Sequence, residues 1–392
     1  LLFSREYILR ATVTVALIFS FHQAGAVAPK GKGFEQRYLW VVRNTLISPE
    51  TIDQLLEFAT VNRFNHLLVQ VRGRGDAFYN SDLVPKSNLI KDQSFDPLGY
   101  LLPRAHERGI HVHAWVNVYL LWSSRVKPLQ KDHLVYTHPD WIDQSSMKPL
   151  NLKSELRKLN GGKNGNEGLY LAPHHPAVNL YLLTVFRELV AKYPIDGLHL
   201  DYVRYHDSDF GKNPGAIAHY KRNQGEESLG FMNGSDGKGQ DYVSTMGRWS
   251  DYRRKAITDL VRDTKNLLLE IRPNCILSAA VKPNLYRARE RYFQEWDVWL
   301  AAGYLDRAIV MNYTPALREF ASNIDVIYDN LPSKYRRKII MGIAAYNQGS
   351  KDAADKLKYT MVTRFHGVSI FSYNSLIKDP RYIRTLKPVL MP

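Results

Sequence analysis

Eight short runs rich in β-branched and aromatic residues, each followed by a longer run with helical spacing, leave this chain few ways to fold. They are Leu39 to Arg43, His66 to Arg72, His111 to Tyr119, Gly197 to Tyr205, Ile276 to Lys282, Ala308 to Tyr313, Ile339 to Tyr346 and Val368 to Tyr373. A helix between two strands returns the chain to the end where it began, so successive strands pair in parallel. Eight such units in 392 residues predict an α/β chain closed as a (β/α)8 TIM barrel, for which roughly 200 to over 400 residues are usual. A doubly wound open sheet is the alternative. Against it, no Gly-x-Gly-x-x-Gly opens the first helix, and polar residues end many strands rather than cluster at one switch point. Helix punctuation agrees with the barrel: Ser48-Pro49-Glu50 and Asp96-Pro97 read as N-caps followed by proline, and Gly109 and Gly303 stand where C-cap glycines belong.

The chain is 45% hydrophobic and 12% aromatic, enough apolar material for a large core. Arg5 and Arg10, the apolar run Ala11 to Phe21 and the small residues Ala24-Gly25-Ala26 resemble a secretory leader. We therefore expect a signal peptide over 1–26 cut after Ala26 or Ala28, a linker over 27–37, and one barrel domain over 38–392. The apolar run is about half the length that crosses a bilayer. Periplasmic or secreted localisation follows. No cysteine stands near the cleavage site for lipid attachment, and the single cysteine, Cys275, can neither form an internal disulfide nor supply a cysteine-rich metal site. A net charge of +15 draws an exported protein to polyanions: an acidic polysaccharide, a cell-wall polymer or an anionic envelope surface. The compartment argues against nucleic acid.

Two loops, of about 50 residues after the third strand and about 40 after the fourth, exceed what a barrel requires. Both leave from strand C-terminal ends, the face that carries barrel active sites. They hold Trp122, Trp141, Tyr170, His174 and His175 in one and Phe231 and Trp249 in the other, and are expected to wall a groove suited to sugar rings. The Gly/Asn/Ser-rich stretch from Gly225 to Gln240 reads as mobile.

Within Ile195-Asp196-Gly197-Leu198-His199-Leu200-Asp201, strand alternation puts His199 and Asp201 on the face opposite Leu198 and Leu200. A carboxylate and an imidazole facing a barrel interior are costly to bury without a function. The third strand likewise turns His111, His113, Trp115 and Asn117 inward, and the second places Gln70 and Arg72 on one face, with Asp76 in the loop that follows. Asn312-Tyr313, Tyr346-Asn347 and Tyr373-Asn374 end the last three strands. This ring of amides and phenols around carboxylates suits a polyol substrate.

Glycoside hydrolysis uses two carboxyl groups. Asp201 is the first choice for nucleophile or base, held ionised by Arg204 and Arg72. Glu295, flanked by Phe293 and Trp296 that could desolvate it, is the expected acid partner, with Asp297 and Asp76 in reserve. Asp196 braces the start of the strand. Arg72, Asp76, His113, Asn117, His199, Arg204, Asn312, Tyr313 and Tyr373 are expected to bind substrate or tune the carboxylates. His111-x-His113 raises zinc hydrolysis, a deacetylase or amidohydrolase, as an alternative. The fifth, sixth and eighth strands offer Ser278, Asn312, Ser372 and Tyr373 rather than further ligands, so no metal and no cofactor is expected. A non-catalytic glycan-binding barrel is the other competing class.

Several segments together resemble the glycosyl hydrolase-like 10 family: His113-Ala114-Trp115-x-Asn117, Asp196-Gly197-x-His199-x-Asp201-Tyr202-x-Arg204-Tyr205, Gln294-Glu295-Trp296 and Met311-Asn312-Tyr313. The similarity runs from about Tyr38 to Tyr373. It implies a (β/α)8 barrel, export, and hydrolysis of bacterial glycans, with cell-wall glycan strands as a substrate class, and we expect a glycoside hydrolase acting on denuded peptidoglycan strands or an exopolysaccharide. Gly197 and Asp201 also match a Gly-x-x-x-Asp spacing that carries the nucleophile in the α-amylase superfamily. The chain departs from the family pattern at His206, where proline is expected, and at Glu295, where aspartate often precedes the tryptophan.

Overall fold

The computed structural model describes residues 33–159, 167–224, 240–363 and 365–391. The expected leader over 1–26, Phe231 and nearly all of the Gly225 to Gln240 stretch lie outside them. In chain order the strands are β1 (Gln36–Val41), β2 (His66–Arg72), β3 (His111–Asn117), β4 (Leu120–Trp122), β5 (Leu169–Tyr170), β6 (Gly197–Asp201), β7 (Ile276–Val281), β8 (Arg307–Val310), β9 (Ile339–Ala344) and β10 (Gly367–Phe371). β1, β2, β3, β6, β7, β8, β9 and β10 pair in that order, all parallel, and β10 returns to β1. This is the (β/α)8 barrel expected from the alternation. β4 and β5 form a separate antiparallel pair within the long excursion after β3.

The punctuation works as read. Ser48 accepts from the Thr51 N–H at 3.4 Å and Asp96 from the Gly99 N–H at 3.1 Å. Gly109 (φ 66°) and Gly303 (φ 76°) take the left-handed conformation, which costs glycine nothing. Several strands end sooner than their composition suggests. β6 stops at Asp201 because Tyr202 turns left-handed at φ 54°, an uncommon conformation for a bulky residue and of the kind concentrated at functional sites.

Two apolar layers result. The larger joins the outward faces of the strands to the helices, while the barrel interior holds Tyr38, Trp40, Leu68, Trp115, Ala280, Ile309 and Ile340. Where the strands begin, Tyr38 stacks on His66 at 4.4 Å between ring centroids, and His66 Nδ1 lies 3.0 Å from His113 Nε2. Halfway up, Trp40 meets Trp115 and His199 edge to face, and His199 Nδ1 is 2.9 Å from Ser278 Oγ. Space for the imidazoles is made at Gly197, where a Cβ would sit 2.0 Å from His113 Nδ1. Gly197→Ala is therefore expected to cost about 1–3 kcal/mol through overpacking. A denaturant midpoint unchanged from wild type would contradict that fit.

Burial pushes all three imidazoles far below their usual value: His66 to about 2, His113 to about 3 and His199 to about 3. Their folded pKa values lie below the unfolded value of about 6.5, so the unfolded chain binds more protons below that pH. Their contribution to stability is complete above pH 6.5 and is lost progressively as the pH falls towards 3, with a slope approaching about 1.4 kcal/mol per pH unit for each histidine. The melting temperature should fall steeply between pH 6.5 and 4.5. A flat profile there would mean that the imidazoles take up protons in the folded barrel.

Candidate active site

The C-terminal ends of the strands bring polar groups together around Asp201. Register places Asn117 beside it. Asn117 accepts from Trp115 Nε1 at 2.9 Å and donates through Nδ2 to the Gly73 carbonyl at 2.7 Å, tying the rim of β2 to that of β3. The Asp201 carboxylate is 6% exposed and accepts the Tyr202 N–H at 2.8 Å. Burial pushes its pKa up to about 6, with Glu167 adding to the rise and the Tyr202 N–H, Arg204 and Lys282 opposing it. Tyr313, Tyr202 and Phe371 line the same mouth. Tyr313 lies in the field of Asp201 and Tyr202, and its ring centroid is 5.5 Å from that of Phe371.

Arg204 is 3% exposed and pairs with Glu167 at 2.7 Å, while the rings of Tyr202, Tyr292 and Tyr170 surround its guanidinium at 5.0, 5.0 and 5.9 Å. Tyr170 donates its hydroxyl to the same Glu167 carboxylate at 2.5 Å. Burial alone would raise the Glu167 pKa; Arg204, Tyr170 and Lys282 outweigh it and hold the group at about 2. Lys282 stands at the end of β7. Burial, then repulsion by Arg204, brings its ammonium down to about 8 against the pull of Glu167 and Asp201. Asp201, Glu167, Arg204 and Lys282 thus form one electrostatic cluster containing an ionised carboxylate and another that retains its proton up to about pH 6.

Strand alternation does not locate every expected residue. The register shifts between Gln70 and Arg72, so Arg72 pairs with Val116 rather than continuing the inward series. Its buried guanidinium donates to the carbonyl of Asn117 and lies in the field of Tyr79 and Tyr181, not beside Asp201. With Arg204 paired to Glu167, desolvation is the larger effect on Asp201, and its pKa rises despite the opposing pull of Arg204 and Lys282. Glu295 faces the long helix Gln240–Ile271, meeting Arg289 at 2.7 Å, Arg254 at 3.6 Å and Thr258 at 3.4 Å. It shares none of those neighbours with Asp201. Asp297 joins Arg289 in the same outer cluster. Gln294, one residue earlier, is the side chain that turns to the strands, donating to Val203 and Ala280 carbonyls.

His113 pairs with Gly197 at the start of β6, about 13 Å of strand below Asp201, and serves the core. His111 is exposed at that same lower rim, where Asp196 accepts from the Val112 N–H at 2.7 Å and binds His106 at 2.8 Å and His111 at 3.4 Å. The His-x-His pair is therefore divided between two environments, and Asp196 braces the strand start as expected. Among the described residues no group of three or more His, Cys, Asp or Glu side chains could hold a metal ion. His199 lies beneath Asp201 on the same inward face. Asp76 is buried in the loop after β2 and accepts from the Arg74 N–H at 3.0 Å.

Met311 packs on the inner cluster and Tyr313 reaches the mouth, so Asn312 between them points away, donating to the Phe320 carbonyl and accepting from Asn323, both at 2.9 Å. Tyr373 follows the end of β10 at Phe371 and packs on Phe58 in the helix layer. Trp249 is carried on the helix Gln240–Ile271 and is buried with Tyr220 and Ile217; Trp141 is buried against His138. Both aromatics pin the excursions rather than line a groove. Lys282 could have been found from the inward parity of Ser278 and Ala280. No local pattern marks Glu167, which reaches the mouth only through the β4–β5 pair.

The family model described as Glycosyl hydrolase-like 10 matches residues 36–361. The chain belongs to the glycosyl hydrolase-like 10 family. Glycosyl hydrolase DigH of Escherichia coli (strain K12) is 23% identical over 345 residues, covering 77% of this chain and 69% of DigH. Glycosyl hydrolase YngK of Bacillus subtilis (strain 168) is 25% identical over 227 residues, covering 56% of this chain and only 37% of YngK. Among solved structures, the PgaB (BpsB) glycoside hydrolase domain from Bordetella bronchiseptica superposes with a TM-score of 0.66 at 14% identity, covering 91% of this chain and 99% of that one. α-L-Fucosidase isoenzyme 2 from Paenibacillus thiaminolyticus gives 0.57 at 12% identity, covering 91% of this chain and 49% of that one. At such identities the structural likenesses establish the barrel. The relatives are named glycosyl hydrolases, and this glycosyl hydrolase-like 10 chain is consistent with a glycosidase.

Proposed function

We propose that the protein hydrolyses glycosidic bonds in a bacterial glycan, with Asp201 as general acid and Glu167 as its ionised partner. The observation that carries this reading is the split between the two carboxyl groups at the barrel mouth, one raised to about 6 and the other held at about 2. Pairs whose environments push their pKa values apart are the signature of acid and base roles. Asp201 protonates the leaving oxygen. Glu167 either attacks the anomeric carbon or draws a proton from the attacking water, and water completes the hydrolysis in both cases. No cofactor enters this chemistry. Compared with the expectation from sequence, Asp201 exchanges the base role for the acid role, and Glu167 replaces Glu295 as partner.

The substrate we favour is a cell-wall glycan stripped of peptide or an anionic exopolysaccharide, met outside the cytoplasm after export. The net charge of +15 and the leader-like residues 1–26 support this setting, and cell fractionation tests it. Products from denuded peptidoglycan strands and from acidic exopolysaccharides, analysed by mass spectrometry in the presence of chelator, test the activity. Shorter oligosaccharides are expected from wild type and from Glu295→Gln, and none from Asp201→Asn or Glu167→Gln. Retained binding without cleavage by wild type would instead make the barrel a glycan-binding module. Cleavage by Glu167→Gln at the wild-type rate would remove Glu167 from the chemistry.

A further inference from the structure

Lys282 is a cation at the mouth that, among the described residues, has no carboxylate at ion-pair distance, and Glu167 and Asp201 act on it only from further away. It is half-buried, and its ammonium lies 4.7 Å from the centroid of the Tyr292 ring. The carboxylate best placed to neutralise it, Glu167, is already bound by Arg204 and Tyr170. Two further cations share the rim and are satisfied by neutral acceptors: Arg43 by Gln70 at 2.9 Å and Arg74 by Ser123 at 2.8 Å. Arg43 lies in the field of Tyr202 and Asp76, and Tyr202 in that of Asp201 and Glu167, so all belong to one electrostatic neighbourhood. Among the described residues, cations there outnumber carboxylates. A half-buried ammonium without a carboxylate at ion-pair distance leaves part of its desolvation uncompensated, and an incoming anion can supply what is missing.

We infer that Lys282 recognises a carboxylate carried by the glycan beside the bond that is cleaved, making it a specificity-determining residue for acidic sugars. This rests on the proposed glycosidase activity at Asp201 and names the feature of the substrate that the mouth selects. A flexible ammonium suits this role because it meets a carboxylate as a point charge from several directions. The same chemistry could come from a lactyl ether carboxylate on denuded peptidoglycan or from a uronic acid in an exopolysaccharide.

The test compares each of these two glycans with its carboxyl-reduced form, in which the carboxylate has become a primary alcohol. For wild type, reduction of the preferred glycan should lower kcat/KM and weaken binding by about 10- to 100-fold, the range of one hydrogen bond to a charged group. Lys282→Met should show that loss already on the native glycan and little further loss on reduction; Lys282→Arg should recover part of the discrimination. The glycan that shows the Lys282-dependent loss identifies the source of the carboxylate. Equal sensitivity to reduction in wild type and Lys282→Met would overturn the assignment. Calorimetric binding of all four glycans is measured alongside the kinetics, so absence of cleavage would overturn the catalytic reading while the binding ratios still decide the role of Lys282.

Discussion

Replacing Asp201 with asparagine is expected to lower kcat/KM by about 10²- to 10⁴-fold, the usual contribution of a positioned general acid, and at the same time to make the protein more stable at pH 8. The second effect follows from burial. Burial raises the carboxyl group from its ordinary value of 3.8 to about 6 in the barrel. Its contribution is therefore favourable below pH 3.8 and is lost as the pH rises through 6, leaving an ionised group that costs up to about 3 kcal/mol. Asparagine keeps an oxygen for the Tyr202 N–H and carries no charge. The melting temperature of Asp201→Asn should exceed that of wild type at pH 8 and approach it at pH 4. In the wild type, kcat/KM should decline above about pH 6 as the acid loses its proton. A decline below pH 6 instead would assign Asp201 the base or nucleophile role read from the sequence, and a variant less stable than wild type at pH 8 would show that neighbouring cations outweigh desolvation.

Arg204→Met should be the most destabilising single change at the mouth, by about 3–5 kcal/mol. It would strip Glu167 of its counter-charge and leave the rings of Tyr170, Tyr202 and Tyr292 without the cation they surround. The double variant Arg204→Met with Glu167→Gln should recover much of that loss, because removing both members of a buried pair leaves no uncompensated charge. Chemical denaturation of the two variants checks this; equal stability of the Arg204 single and the double variant would mean that the unpaired Glu167 carboxylate costs little. The same substitution should raise the Glu167 pKa from about 2 and move the acid limb of the rate profile to higher pH.

The two experiments bear on one balance of effects. Asp201 is raised because its surroundings are dry and its nearest cation is shared, whereas Glu167 is lowered because it receives that cation directly. Burial raises both; pairing decides which of them ionises. The site therefore separates two carboxyl groups of similar intrinsic acidity by geometry alone, and Arg204 is the residue that does so.

Local order set the frame. Strand period and helical spacing announced eight βα units, the caps at Ser48 and Asp96 and the C-cap glycines at Gly109 and Gly303 form as read, and parity turned His199 and Asp201 to the interior. Parity failed wherever a strand stopped being regular. The bulge at Arg72 and the early end of β10 before Tyr373 each sent a side chain to the other face, because one residue of slip inverts every orientation that follows, whereas Asn312 points outward because alternation holds between Met311 and Tyr313.

What the sequence by itself determined is the barrel and the placement of Asp201 at the C-terminal ends of its strands, since each depends on short-range periodicity and on the parallel return that helices impose. The tertiary structure alone decided which groups surround Asp201 and how their charges act on it. Glu167 and Arg204 are 37 positions apart, Lys282 follows β7 whereas Asp201 ends β6, and Glu295 turns to Arg289, Arg254 and Thr258. A pKa depends on which groups lie within a few ångströms in a dry environment, and that is fixed only when the loops have folded over the barrel.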